Sequence, residues 1–226
     1  MRRSRAEAAR TRQRIVAGAS ALFREHGLAE VGVAGLMAEV GLTHGGFYAH
    51  FASREALVAE AIRYALAQSA QRIYWSEIND GDRPGYSRLI RRYLSKAHRD
   101  NPKDGCVLAS LSAEMARRHD HARTVFSEGF DGLATLLAQL SPAPTRSARR
   151  AHVLSVISAL VGALTLARGV NDPKVSEEIL ASARRSLLAN EKRLRGHAVP
   201  PQMASDAAAG SRRAMRRQQM QRQMRN

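Results

Sequence analysis

Along nearly the whole chain apolar residues recur at intervals of three and four, and no stretch shows a sustained every-second-residue alternation. That period belongs to helices with one buried face, so an all-α fold is predicted. Ile15, Ala19, Leu22 and Phe23 form a first stripe that stops near Gly27, where a helix C-terminus is expected. Val33, Leu36, Met37 and Val40 form a second, short stripe ending at Gly41. Thr43 is placed to cap a third helix over residues 44–51, and Ser53 a fourth running from 54 to about 78. Residues 79–85 read as a loop, followed by a helix over about 86–99. Asp104 is placed to cap a helix starting at Gly105 or Cys106. Further helices are predicted over about 122–140, 147–169 and 173–194, the last with Asn171-Asp172 directly before a proline at its first position.

A chain of 226 residues can bury a sizeable core. Its single cysteine, Cys106, excludes an intramolecular disulfide, and the N-terminal segment is basic without an apolar run, so a reducing cytoplasm is expected. The longest uncharged apolar stretch, 153–167, is shorter than the roughly 20 residues needed to cross a bilayer. It also contains Ser155, Ser158, Gly162 and Thr165, and it reads as a buried helix with no membrane partner. The net charge of +16 is unevenly spread: +5 falls in residues 1–14 and +8 in 192–226, leaving +3 for everything between. Both arms suit sequence-independent contact with phosphates. Beyond Gly196 no durable apolar stripe remains, and a mobile basic tail is expected.

Function concentrates in residues 33–51. Two short helices flank Gly41-Leu42-Thr43, the glycine-containing turn of a helix-turn-helix, in which the first helix braces the second against the DNA major groove. Leu36, Val40, Leu42 and Phe47 form the packing side, leaving Thr43, His44, Gly45 and Gly46 outward. Two glycines in an exposed first turn each cost roughly 1 kcal/mol relative to alanine. Close approach of backbone amides to DNA supplies a reason for them. Residues 15–58 carry two Arg against four Glu, so affinity must lean on Arg10, Arg12 and Arg14.

Residues 11–62 resemble the DNA-binding domain of the tetracycline-repressor-type (TetR) family. The resemblance is carried by Ile15, Phe23, Leu36, Gly41-Leu42-Thr43, and above all Gly45-Gly46-Phe47-Tyr48-Ala49-His50-Phe51 followed by Ser53-Arg54-Glu55-Ala56-Leu57. It departs at Met37, where the family usually has alanine, and at Arg54, where lysine is common. The resemblance implies Thr43, His44, Gly45 and Tyr48 at the groove, with His50 and Arg54 toward phosphates. It implies a repressor that binds double-stranded operator DNA as a homodimer and leaves it when a small-molecule effector binds. Three parts are expected: a helix-turn-helix domain with its basic arm over 1–57, a helical ligand-binding and dimerisation domain over 58–195, and the tail over 196–226.

The later region matches the family less closely, although Gly105-Cys106 and the last two helices resemble one common subgroup. Val153, Ile157, Leu160 and Leu164 form a stripe beside several small residues, and Ile179, Ala183 and Leu187 form another. Two such helices from each of two chains would build a four-helix interface. Tyr64, Tyr93, Met115, Phe126 and Phe130, with Cys106, are the apolar or reactive groups available to an effector, although a plain core accounts for them equally well. Cys106 in a helix's first turn could be a reactive thiolate, but lone cysteines are more often small core hydrophobes. His119-Asp120-His121 lacks any further ligand at zinc spacing, so no metal and no other cofactor are expected. No phosphate loop, nucleophile elbow or metalloprotease motif is present, which argues against an enzyme. The rival reading is a nonspecific, architectural nucleic-acid-binding protein driven by the basic arms.

Overall fold

The computed structural model describes residues 5–71 and 86–197. Among these every regular element is helical, as the period of the apolar stripes requires. The chain runs through α1 (Arg5–Glu30), α2 (Val33–Glu39), a 3₁₀ helix (His44–Ala49), α3 (Arg54–Ser69), α4 (Tyr86–Tyr93), α5 (Lys96–Asp100), a second 3₁₀ turn (Pro102–Asp104), α6 (Val107–Met115), α7 (His121–Ala138), α8 (Arg146–Gly169) and α9 (Pro173–His197). The expected extension of α3 toward residue 78, the loop 79–85, the outermost arm residues and the tail from 198 onward lie outside the described residues.

Two of the expected caps form: Ser53 Oγ accepts from the Ala56 amide at 3.1 Å and Asp172 Oδ1 from Lys174 at 2.8 Å. Thr145, not among the expected caps, accepts from Ala148 at 3.1 Å. Gly27 breaks α1 with φ 82°, a left-handed conformation that glycine adopts without steric cost. Two expectations fail. The predicted helix over 86–99 is two helices, because Ser95 takes extended backbone angles and its hydroxyl accepts from the His98 amide, starting α5 afresh. The helix expected to begin at Gly105 or Cys106 under an Asp104 cap begins instead at Val107, with Cys106 at the N-cap position and Asp104 in the preceding 3₁₀ turn. The Cys106 amide is taken by His98 Nε2 at 3.0 Å.

Two apolar cores result. The first joins α1, α2, the 3₁₀ helix and α3 around Ile15, Phe23, Leu36, Met37, Phe47 and Leu57, and it extends to Met115 of α6 and Val125 of α7. The second is formed by α4, α8 and α9 with the C-terminal half of α7. Leu66 and Phe126 pack against both cores, so the boundary expected at residue 57 falls inside one continuous helix, α3. By length and composition α8 is apolar enough to span a bilayer, yet seven of its residues are buried in the second core.

That burial corrects the expected dimer seam. Val153, Ile157, Leu160 and Leu164 are each at most 4% exposed within the single chain and have no surface left for a partner. Leu187 is likewise buried, while Ile179 and Ala183 are half-buried against the same core. The outward face of α8 carries Ser155, Ser158, Ala159 and Leu166 instead.

Candidate nucleic-acid interface

The reading head is built from its turn outward. Gly41, at φ 69°, lets the chain reverse after α2, and the Gly41 and Leu42 amides close back onto Ala38 O and Met37 O at 2.9 and 2.8 Å. The following element is a short 3₁₀ helix rather than the expected α-helix to residue 51, with Gly46 N bonded to Thr43 O at 3.0 Å. Thr43 stands at its N-cap position, but its side chain makes no capping bond. Two glycines in six residues leave little helical preference, and the element is held by its aromatic anchor. Phe47 is fully buried, with its ring stacked on Phe51 at 5.5 Å and edge-on to Tyr48 at 5.3 Å.

The opposite face points outward. Thr43, His44, Gly45 and Ala49 are exposed and Tyr48 is 65% exposed, the most exposed large apolar side chain among the described residues. Gly46 and His50 are half-buried. Neither glycine is required by its own backbone angles, and a Cβ on Gly45 would meet nothing within 4 Å. On Gly46 a Cβ would make only ordinary contacts with Thr43 and Met37. The fold therefore does not explain Gly45.

The basic residues expected at phosphates divide. Arg10 is exposed. Arg12 chelates Glu60 of α3, donates to His50 O at 3.3 Å and lies 4.5 Å over the Phe51 ring. Arg14 donates to Val40 O at 2.7 Å, closing the C-terminus of α2. Arg54 donates to Leu28 O and Val31 O across the break in α1, where Glu114 of α6 also accepts the Leu28 amide. Arg12, Arg14 and Arg54 thus tie α1, the end of α2 and α3 together at the edge of the head. The sequence could not show this, because their acceptors lie 23 to 48 residues away.

The proposed effector residues are not brought together. Tyr64 is half exposed beside Arg10, Arg12 and Glu60 on the head, Met115 belongs to the first core, and Tyr93 to the second. Phe126 bridges the two cores, and Phe130 packs on the second. Cys106 is buried and does line an apolar cavity of about 240 Å³ between α3, α6 and α7, with Leu66, Leu108, Leu133 and Leu136.

Residues 15–61 match the family model for bacterial regulatory proteins of the tetR family. Relatives from two strains of Mycobacterium tuberculosis, described as uncharacterized HTH-type transcriptional regulators, are 30% identical over 186 residues, covering 79% of this chain and 94% of theirs. Among solved structures, a TetR transcriptional regulator from Legionella pneumophila superposes with a TM-score of 0.68 at 16% identity, covering 84% of this chain and all of its own. A TetR-family regulator from Cytophaga hutchinsonii gives 0.66 at 21% identity, covering 84% and 98%.

Proposed function

This chain belongs to the tetR family of bacterial regulatory proteins and is a DNA-binding transcriptional regulator, and from that premise we propose that it is a homodimeric repressor released from a palindromic operator by a small-molecule effector. The observation that carries this reading is the unexplained glycine. Gly45 sits on an exposed face with Thr43, His44, Gly46 and Tyr48, on an element braced by Phe47, and close approach of an outside partner gives it a reason. In this reading those five residues meet base edges and backbone in the groove. Arg10 and His50 supply phosphate contacts, while Arg12, Arg14 and Arg54 hold the head in register. A cytoplasmic location follows from access to the chromosome.

The dimer uses the outer face of α8 and α9. Leu166 and Val175 are 61% and 41% exposed, and the small side chains of Ser155, Ser158 and Ala159 permit close helix approach. The cavity beside Cys106 is suited to a small apolar effector. An effector preferring the head spacing that misfits the operator shifts the population away from the bound form by its difference in affinity for the two.

Selecting DNA fragments with purified protein and comparing Gly45→Ala and Gly45→Glu tests the reading. The open space around Gly45 means both variants should keep the parent's far-ultraviolet circular dichroism and oligomeric state. Gly45→Glu should drop to the nonspecific level, a loss of about 10³-fold or more. Operator binding equal to the parent's would remove the reading face. Equal affinity of the parent for selected and random DNA would favour the architectural alternative.

A further inference from the structure

A recess of about 550 Å³ lies where α1, α5, α6 and the α8–α9 turn converge, sharing no lining residue with the reading face or the apolar cavity. Arg24, Arg99 and Arg168 line it, with Ser110, Thr165 and Ser176. Arg24 is buried and donates to Ser20 O, Gly105 O and Gln68 Oε1. Arg99 is neutralised by Asp100, which accepts from its Nε at 2.6 Å and Nη2 at 3.2 Å, and its Nη1 donates to Ser176 Oγ. Glu25 stands on the exposed rim beside His26.

Arg168 is different. Its guanidinium donates to His98 O at 2.7 Å, Arg99 O at 3.0 Å and Ser110 Oγ at 3.4 Å, all neutral acceptors, and it makes no ion pair among the described residues. Burial holds it below the ordinary guanidinium range. Asp100 is the carboxylate whose charge reaches Arg168, but it is already hydrogen-bonded to Arg99, so one carboxylate is shared between two half-buried cations. Arg168 packs closely on the backbone of Gly105, where a Cβ would come within 2.9 Å of Arg168 Nη2. Three of the five guanidinium N–H groups are engaged and two remain.

We propose that this recess binds a small molecule bearing a carboxylate or phosphate, its oxyanion seated on the two remaining N–H groups of Arg168 and the Ser110 hydroxyl. The occupant adds a second negative charge beside Asp100, which Arg99 and Arg168 otherwise share. It would also join the head to the α8–α9 turn, since Arg24 of α1 holds Gly105 O and Gly105 packs on Arg168. Operator affinity is therefore coupled to occupancy, a clause that rests on the regulator reading.

The test is thermal unfolding and calorimetry of the full chain with succinate, with inorganic phosphate, and with chloride at matched ionic strength. A saturable rise in Tm is expected with succinate or phosphate and not with chloride, and the arm that saturates identifies the chemistry. Arg168→Gln should abolish saturation. Should that variant not fold, Thr165→Glu sets a carboxylate on the exposed wall and should abolish it in a chain of unchanged circular dichroism. No saturable response to either anion, or the parent's response in Thr165→Glu, overturns the site. Binding is read without DNA, so failure of the regulator reading leaves this result standing. With selected operator, a saturating anion should change affinity by about fivefold or more, and no change overturns the coupling.

Discussion

His98 shows how one residue can organise a junction. Its Nδ1 donates to Tyr93 O at 2.8 Å and its Nε2 accepts from the Cys106 amide, so the ring is needed in its neutral form. Burial, with Arg168 and Arg92 nearby, lowers its pKa to about 4 against the backbone bond to Tyr93. The unfolded chain therefore takes this proton first as pH falls. Stability should decline from about pH 6.5 to about pH 4 and level off below. The gap corresponds to about 3 kcal/mol of linkage at most. Denaturant unfolding at pH 7 and pH 4.5 should show a steeper loss in the parent than in His98→Gln, which keeps an acceptor for Cys106 and does not titrate. Parallel losses would assign the acid sensitivity elsewhere. The sequence offered Gly105-Cys106 only as a likeness. The contacts of that pair, Gly105 against Arg168 and the Cys106 amide on His98, come from residues brought in by the fold.

At the scale of elements, the spacing of α1 and α2 sets the angle of the reading head, and one glycine controls it. A Cβ on Gly18 would stand 2.5 Å from Val40 Cγ1, a β-branched side chain with little rotamer freedom to retreat. Gly18→Ala should gain about 1 kcal/mol of helix propensity and lose about 1–3 kcal/mol to overpacking. A net loss in the urea midpoint, with weaker operator binding, is expected. Val40→Ala in the same chain should recover part of both, giving a favourable interaction of about 0.5 kcal/mol or more in a double-mutant cycle. Additive effects would mean that the two helices do not meet through this contact. Helix existence was legible from apolar spacing, and several helix starts were legible from local caps. The break at Ser95 was hidden because Tyr93 and Leu94 carry the apolar pattern right up to it with no glycine or proline between the two helices, although Ser95 itself carries a capping signal.

For the whole molecule, assembly separates two leucines that look alike in sequence. Leu160 is 1% exposed in the second core, whereas Leu166 is 61% exposed on the outer face of α8. Leu160→Arg should bury an unpaired charge and unfold the chain, at a cost above about 4 kcal/mol. Leu166→Arg should leave circular dichroism unchanged and convert dimer to monomer in light scattering, with operator binding lost alongside. A Leu166→Arg chain that remains dimeric would move the interface off this face.

The sequence by itself determined what depends on neighbours in the chain: helices from period 3.6, the left-handed turns at Gly27 and Gly41, the caps at Ser53 and Asp172, and the outward residues of the reading head. Only the tertiary structure decided which partner each face meets. A helix buried in its own core and one buried against a second chain carry the same apolar stripe, so Val153, Ile157, Leu160 and Leu164 were read as a seam between copies. Arg12, Arg14 and Arg54 likewise read as free cations, because a charge is written at its own position while its acceptors, Glu60, Val40 O and Leu28 O, are supplied by distant chain. Side-chain type and spacing are local information; burial and pairing arise when separate helices share one volume.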